Sequence, residues 1–209
     1  TMKLGEVKIE ALKIMFADYT GSIDVDSLQD LKTDENYEYI NSMPGAINRC
    51  FSRLEDANVV PLKKTVLEKD KGTVSNGRIR FDLNEVVEDF DKVDRIIHET
   101  VNSYNGNCEY VMETESIIVL PEVDEDYTLI YAPRLKRVTT GTADDEEIAL
   151  PDKIACLIPY FIKGDLFRED EPAEAADARN LFEASIEAID NGIKRRQTSV
   201  KTVFSQTEE

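Results

Sequence analysis

Apolar residues return at three- and four-residue steps along Lys3–Tyr19: Leu4, Val7, Ala11 and Ile14, with Leu12, Met15 and Tyr19 widening the stripe. That spacing predicts an amphipathic helix. Thr20-Gly21-Ser22 stops it, and the acidic stretch Ile23–Lys32 reads as a loop. A second helical pattern follows on Ile40, Met43, Ile47, Cys50/Phe51 and Leu54. Pro44 lies inside it, so the expectation is a short turn from Asp34, a break or kink, then a helix with Pro44 in its first turn.

Near Val59 the period changes. Strand-like runs are expected at Val60–Glu68, Arg78–Leu83, Asp94–Val101, Glu109–Glu113, Ser116–Leu120 and Thr128–Tyr131, with a further one at Lys136–Thr139. Arg78-Ile79-Arg80-Phe81-Asp82-Leu83 alternates as a half-buried antiparallel strand does. Asn76-Gly77 and Asn105-Gly106 are turn signals. Short strands with tight turns predict a small antiparallel β-sandwich or partial barrel.

The helical period returns at Glu146. Pro151 suits a helix start, and the helix running to Arg168 is apolar on nearly every side, with a kink expected at Pro159. Pro172 is expected at the first position of a last helix whose inner face carries Ala178, Phe182, Ser185/Ile186, Ile189 and Ile193. The tail after Gln197 reads as flexible. The expected organisation is helical over 1–58, an inserted β domain over 59–140, helical over 141–197 and a tail over 198–209. The fold class is α+β: the N- and C-terminal helices form one antiparallel bundle around an inserted antiparallel, sandwich-like domain.

Composition narrows the function. Acids outnumber bases 43 to 25 in a chain of 209 residues, a net charge of −18. This argues against bulk or sequence-specific nucleic-acid binding and against adhesion to anionic lipid. One histidine, His98, leaves little material for histidine-based catalysis or metal binding. Cys50, Cys108 and Cys156 are far apart with no C-x-x-C, so they read as buried small apolar residues made in a reducing, intracellular setting. No signal peptide is read, and Ile154–Ile162, the longest apolar run, is too short to span a bilayer. Asp24, Asp26, Asp30 and Glu35 match an EF-hand count, but Leu28 and Gln29 stand where an oxygen ligand and a glycine belong, so a solvated loop is expected. No nucleophile elbow, P-loop or dinucleotide fingerprint occurs. No catalytic residue, metal site or cofactor is assigned.

The charge layout of the last third stands out. Residues 142–177 hold eleven acids against three bases, beginning with Asp144, Asp145, Glu146 and Glu147. Lys194, Arg195, Arg196 and Lys201 follow with no acid among them, and Phe204 lies just beyond. One reading is a basic docking patch for an acidic protein surface, a neighbouring copy included. The other is cations complementing a helix dipole before a loose tail.

Several segments in order resemble the head-to-tail connector (adaptor) proteins of tailed bacteriophages. They are Leu4-Gly5-Glu6-Val7; Tyr39-Ile40-Asn41-Ser42-Met43-Pro44-Gly45-Ala46-Ile47; Pro61-Leu62-Lys63-Lys64; Phe81-Asp82-Leu83-Asn84 with Asp89–Ile96; Tyr127–Tyr131; and Ile148-Ala149-Leu150-Pro151 through Gly164-Asp165-Leu166-Phe167-Arg168. The resemblance covers most of residues 3–190. It implies a non-enzymatic virion protein, made in the bacterial host cytoplasm. Copies would stand side by side on the portal protein, commonly as a ring of twelve that extends the DNA channel and receives tail or neck proteins. The C-terminal segment would reach the portal. The acids, Asp144–Glu147 among them, would line the channel or an interface, and Lys194, Arg195 and Arg196 would be buried in contacts. The rivals are another neck or tail-completion protein, a protein- or carbohydrate-binding module on the β insertion with Tyr104, Tyr110, Tyr127 and Tyr131 as its aromatics, and an enzyme using paired carboxylates, which predicts a concave pocket.

Overall fold

A computed structural model describes residues 1–16, 28, 37–98 and 108–205, with the backbone alone for 194–205. The acidic loop with Asp24, Asp26, Asp30 and Glu35 lies outside the described residues, except for buried Leu28, as does the Asn105-Gly106 turn. Helices and antiparallel sheets both occur, so the chain is α+β. It divides into two units. Thr1–Val59 joins Arg137–Glu209, and Val60–Lys136 forms the other.

In the helical unit, α1 spans Leu4–Met15 and buries Leu4, Val7, Ala11, Leu12 and Met15 of the predicted stripe, with Ile14 half-buried and Tyr19 outside the described residues. Helix α2 spans Tyr37–Asp56 without a break, and Pro44 sits inside it rather than in its first turn. Proline there forfeits one backbone hydrogen bond. Met43, Pro44, Ala46, Ile47, Cys50, Phe51 and Leu54 are all buried, and that packing outweighs the loss. Asn58 closes the helix in the left-handed region at φ 54°.

The predicted long helix after Pro151 is two helices, α4 at Asp152–Ala155 and α5 at Ile158–Leu166. The break falls just ahead of Pro159, which has no N–H to continue the ladder. Cys156 lands in that break and is exposed, contrary to the burial expected for all three cysteines; Cys50 and Cys108 are buried. Helix α5 packs on α1, α2 and α6, as its nearly continuous apolar surface requires. Gly164 allows the closest approach: a Cβ there would lie 3.1 Å from the Ala175 carbonyl and from the Arg179 nitrogen on α6. Helix α6 spans Pro172–Ser205, starting on Pro172 as predicted and continuing through the stretch expected to be tail. After Gly192 it meets neither glycine nor proline, so no residue ends it sooner.

The β unit contains two antiparallel sheets. One orders β1 (Lys63–Leu67), β7 (Tyr127–Pro133) and β4 (Phe90–Ile97) as β1-β7-β4. The other orders β2 (Thr73–Ser75), β3 (Arg78–Asp82), β6 (Ile117–Pro121) and β5 (Val111–Met112) as β2-β3-β6-β5. Strand β2 falls between two expected strands, where none is read, and no strand forms at Lys136–Thr139. Ser75 pairs with Arg78 across Asn76-Gly77, whose φ values of 54° and 70° are those of a type I′ hairpin. Asp82 accepts from the Asn84 N–H and caps a one-turn helix, α3 (Leu83–Val86), that the strand pattern hid. Both sheets feed one core: Leu67, Tyr127, Leu129 and Tyr131 from the first, Ile79, Phe81, Ile118 and Leu120 from the second. Gly72 lies against that core, where a Cβ would sit 2.5 Å from Ile79 Cγ1.

Candidate interaction surfaces

The acidic segment at 144–147 has two roles. The first N–H groups of α1 have no intrahelical partner. The Glu146 carbonyl accepts from Leu4 N–H at 2.9 Å, and the Asp144 carbonyl from Gly5 N–H at 2.8 Å. Lys3 and Glu147 form an isolated antiparallel bridge, and Ile148 N–H donates to the Met2 carbonyl at 3.0 Å. Lys8 is 8% exposed, and its ammonium lies 2.6 Å from Asp144 Oδ1. Asp144 is therefore engaged inside the unit. Glu146 is half-buried, whereas Asp145 and Glu147 are exposed. The four acids form a strap over the start of α1 with two carboxylates presented outward.

The remaining acids of this region split in the same way. Asp165 holds Arg49 of α2 and lies 3.6 Å from Arg179 of α6. Glu183 receives both Nε and Nη2 of Arg53, at 3.1 and 2.6 Å, the fork geometry that favours arginine. Asp170 accepts the Tyr39 hydroxyl at 2.5 Å, and that bond, with burial and nearby acids, raises the Tyr39 pKa to about 12. Glu169 and Glu171 just before α6 and Asp177 in it stand exposed, and Glu174, also exposed, lies 2.6 Å from the Lys163 ammonium of α5. Of the predicted basic patch, Lys194, Arg195, Arg196, Lys201 and Phe204 fall on the α6 backbone, and their side chains lie outside the described residues.

Sequence reading missed a polar cluster in the β unit. Lys63 on β1 lies 2.5 Å from Asp89 Oδ2, and the Tyr131 hydroxyl on β7 donates to Asp89 Oδ1 at 2.9 Å. Burial alone would raise the Asp89 carboxyl. The hydrogen bonds from Lys63 and Tyr131, with the Lys63 charge, reverse this and hold it below its ordinary value. Burial first, then Asp89, pushes Tyr131 up to about 12. Beside the cluster, Asn84, Phe90, Thr114, Glu115, Ser116 and Arg134 line an open groove of about 320 Å³. The register places Lys63 opposite Tyr131, but no local motif announces either feature.

The rival readings fare as follows. Tyr127 and Tyr131 are buried and Tyr110 packs against the core, so these three form no exposed aromatic face; Tyr104 lies outside the described residues. His98 sits just past β4 rather than within a strand. It is buried, with its ring 4.7 Å from Tyr127 and Nε2 3.7 Å from Glu125. Among the described residues no group of three or more His, Cys, Asp or Glu side chains could hold a metal ion. No helix among them is long and apolar enough to cross a membrane. Compared with known proteins, the chain matches no family model and no curated sequence.

Proposed function

We propose that the chain is a non-enzymatic structural protein of a tailed-phage virion, a head-to-tail connector that stands in a ring on the portal and extends the DNA channel. In this reading the helical unit is an antiparallel bundle and the β unit a sandwich-like insertion. The observation that supports it most is the arrangement of the two units. Residues from both chain ends make one helical unit, and a continuous β stretch sits between them. The ordered segments that resemble the connector family fall on these elements. Ring contacts between neighbours are head-to-tail. Exposed Asp145 and Glu147 suit a bore that does not hold passing DNA, because like charge repels phosphate. Asp144, tied to Lys8, braces the strap that carries them. The C-terminal end of α6 would dock on the portal.

The test is co-sedimentation with the portal ring encoded in the same genome, using the full chain and a chain ending at Asn191. Near-equimolar binding of the full chain, lost on truncation, is the expected result. Binding that survives truncation keeps the connector and moves the docking surface off the end of α6. Absence of binding at low and moderate salt overturns the connector and favours another neck protein or a binding module on the β unit.

A further inference from the structure

Helix α6 is 34 residues long, about 50 Å at 1.5 Å per residue. Its inner face is spent early. Ala175, Ala178, Phe182 and Ile186 are buried, whereas Ile189 and Ile193, expected on the same face, are only half-buried. A helix of mixed polarity needs tertiary packing to persist in water. On the other side, about 130° round from Phe182 and Ile186, runs a stripe with no cover. Leu181 is 48% exposed, one of the few large apolar side chains among the described residues left so open. Ala184, Ala188 and Gly192 follow, all exposed and four residues apart, and a Cβ at Gly192 would meet nothing within 4 Å. Small residues at that spacing let two backbones approach closely, and Leu181 supplies the apolar anchor.

The charges select the occupant. The start of α6 and the residues just before it carry exposed Glu169, Glu171 and Asp177, beside Glu174, which pairs with Lys163; the sequence of its last turns carries Lys194, Arg195, Arg196 and Lys201. A parallel pair of such helices sets acid beside acid and base beside base. An antiparallel pair sets each acidic start beside the other's basic end. With position 184 of one copy level with 188 of the other, position 177 falls level with 195. We infer that two copies of this chain pair antiparallel along α6, through Leu181, Ala184, Ala188 and Gly192. The contact is isologous and closes at two copies. It concerns the free chain: in the connector reading the portal takes the same end of α6, and the ring contacts are head-to-tail.

Sedimentation equilibrium of the full chain across concentration and salt tests this. The expected result is a monomer–dimer equilibrium in the micromolar range that weakens as salt rises. Leu181→Glu and Ala188→Glu, both at exposed positions, should each weaken it by about tenfold or more. A variant with Lys194→Glu, Arg195→Glu and Arg196→Glu should be monomeric alone. So should one with Glu169→Lys, Glu171→Lys and Asp177→Lys, and the two should pair when mixed. A single-copy mass at about a hundred times the micromolar range overturns the proposal. So does a dimer indifferent to Leu181→Glu, an assembly larger than two, or failure of the charge-swapped variants to pair. The salt series on the unaltered chain decides the matter even where a variant folds poorly.

Discussion

The two units differ in where along the chain their ties are made. In the helical unit three side-chain ion pairs each span more than half of the chain: 136 positions for Lys8–Asp144, 116 for Arg49–Asp165 and 130 for Arg53–Glu183. In the β unit, β2 and β3 meet across two residues, and β5 pairs with β6 close by in sequence. The longest link there, β1 with β7, brings the entry and exit of the insertion side by side. Folded, the β unit holds its own first and last strands together, Lys63 opposite Tyr131. Unfolded, it is a loop on the order of 80 residues, whose closure costs about 4 kcal/mol. The expected dependence therefore runs one way: an unfolded β unit should weaken the helical unit through that closure cost, and an unfolded helical unit should weaken the β unit less.

The largest expected effect breaks or sustains that asymmetry. Phe81 and Phe182 are each essentially buried, in the β and helical cores respectively. Either residue changed to alanine should cost roughly 3–5 kcal/mol locally. Amide exchange should show Phe182→Ala stripping protection from α1, α2, α5 and α6 while β3, β6 and β7 keep theirs. Phe81→Ala should reduce protection in both units. Equal loss in both units from Phe182→Ala would end the one-way account.

A smaller effect sharpens the view of the strap. Asp144→Asn leaves the Lys8 ammonium, 8% exposed, facing a neutral group. The expected cost is about 1–3 kcal/mol, read in urea unfolding. Asp145→Asn, on an exposed side chain, should change stability by less than about 0.5 kcal/mol. If the two substitutions cost the same, the strap is not held by its ion pair.

What could be read from sequence was what neighbouring residues decide. Asn76-Gly77 makes its hairpin because both residues tolerate positive φ, and Pro172 starts its helix because the missing N–H is free there anyway. The α6 stripe is buried as its spacing demands at Ala178, Phe182 and Ile186, and only half-buried at Ile189 and Ile193. The misses are of the opposite kind. Pro44 argued locally for a helix start, yet seven buried positions carry α2 through it. Strand β2 is exposed throughout, so it has no apolar alternation to read and exists by pairing with β3. Asp144 looked like one acid among four until the fold put Lys8 beside it. The Lys63–Asp89–Tyr131 cluster joins residues far apart in sequence, which only sheet register brings together.

The smallest effect contrasts two tyrosines, one in each unit. Both Tyr39 and Tyr131 have pKa values raised to about 12, for different leading reasons. For Tyr39 the first cause is its bond to Asp170; for Tyr131 it is burial. A raised folded value, against about 10 unfolded, means each phenol stabilises its unit fully below pH 10 and loses that contribution as pH climbs toward 12. Asp170→Asn should therefore bring Tyr39 well back toward 10, whereas Asp89→Asn should leave Tyr131 clearly above it. Absorbance titration of the tyrosinates in the two variants checks this. At the acid end the sign reverses. The Asp89 value is depressed, so its contribution is present above about pH 4, the unfolded carboxylate value, and fades as pH falls through the folded one. The stability gap between the unaltered chain and Asp89→Asn should shrink below pH 4. A gap constant down to pH 2 would mean that Lys63 and Tyr131 do not hold the carboxylate in its charged form.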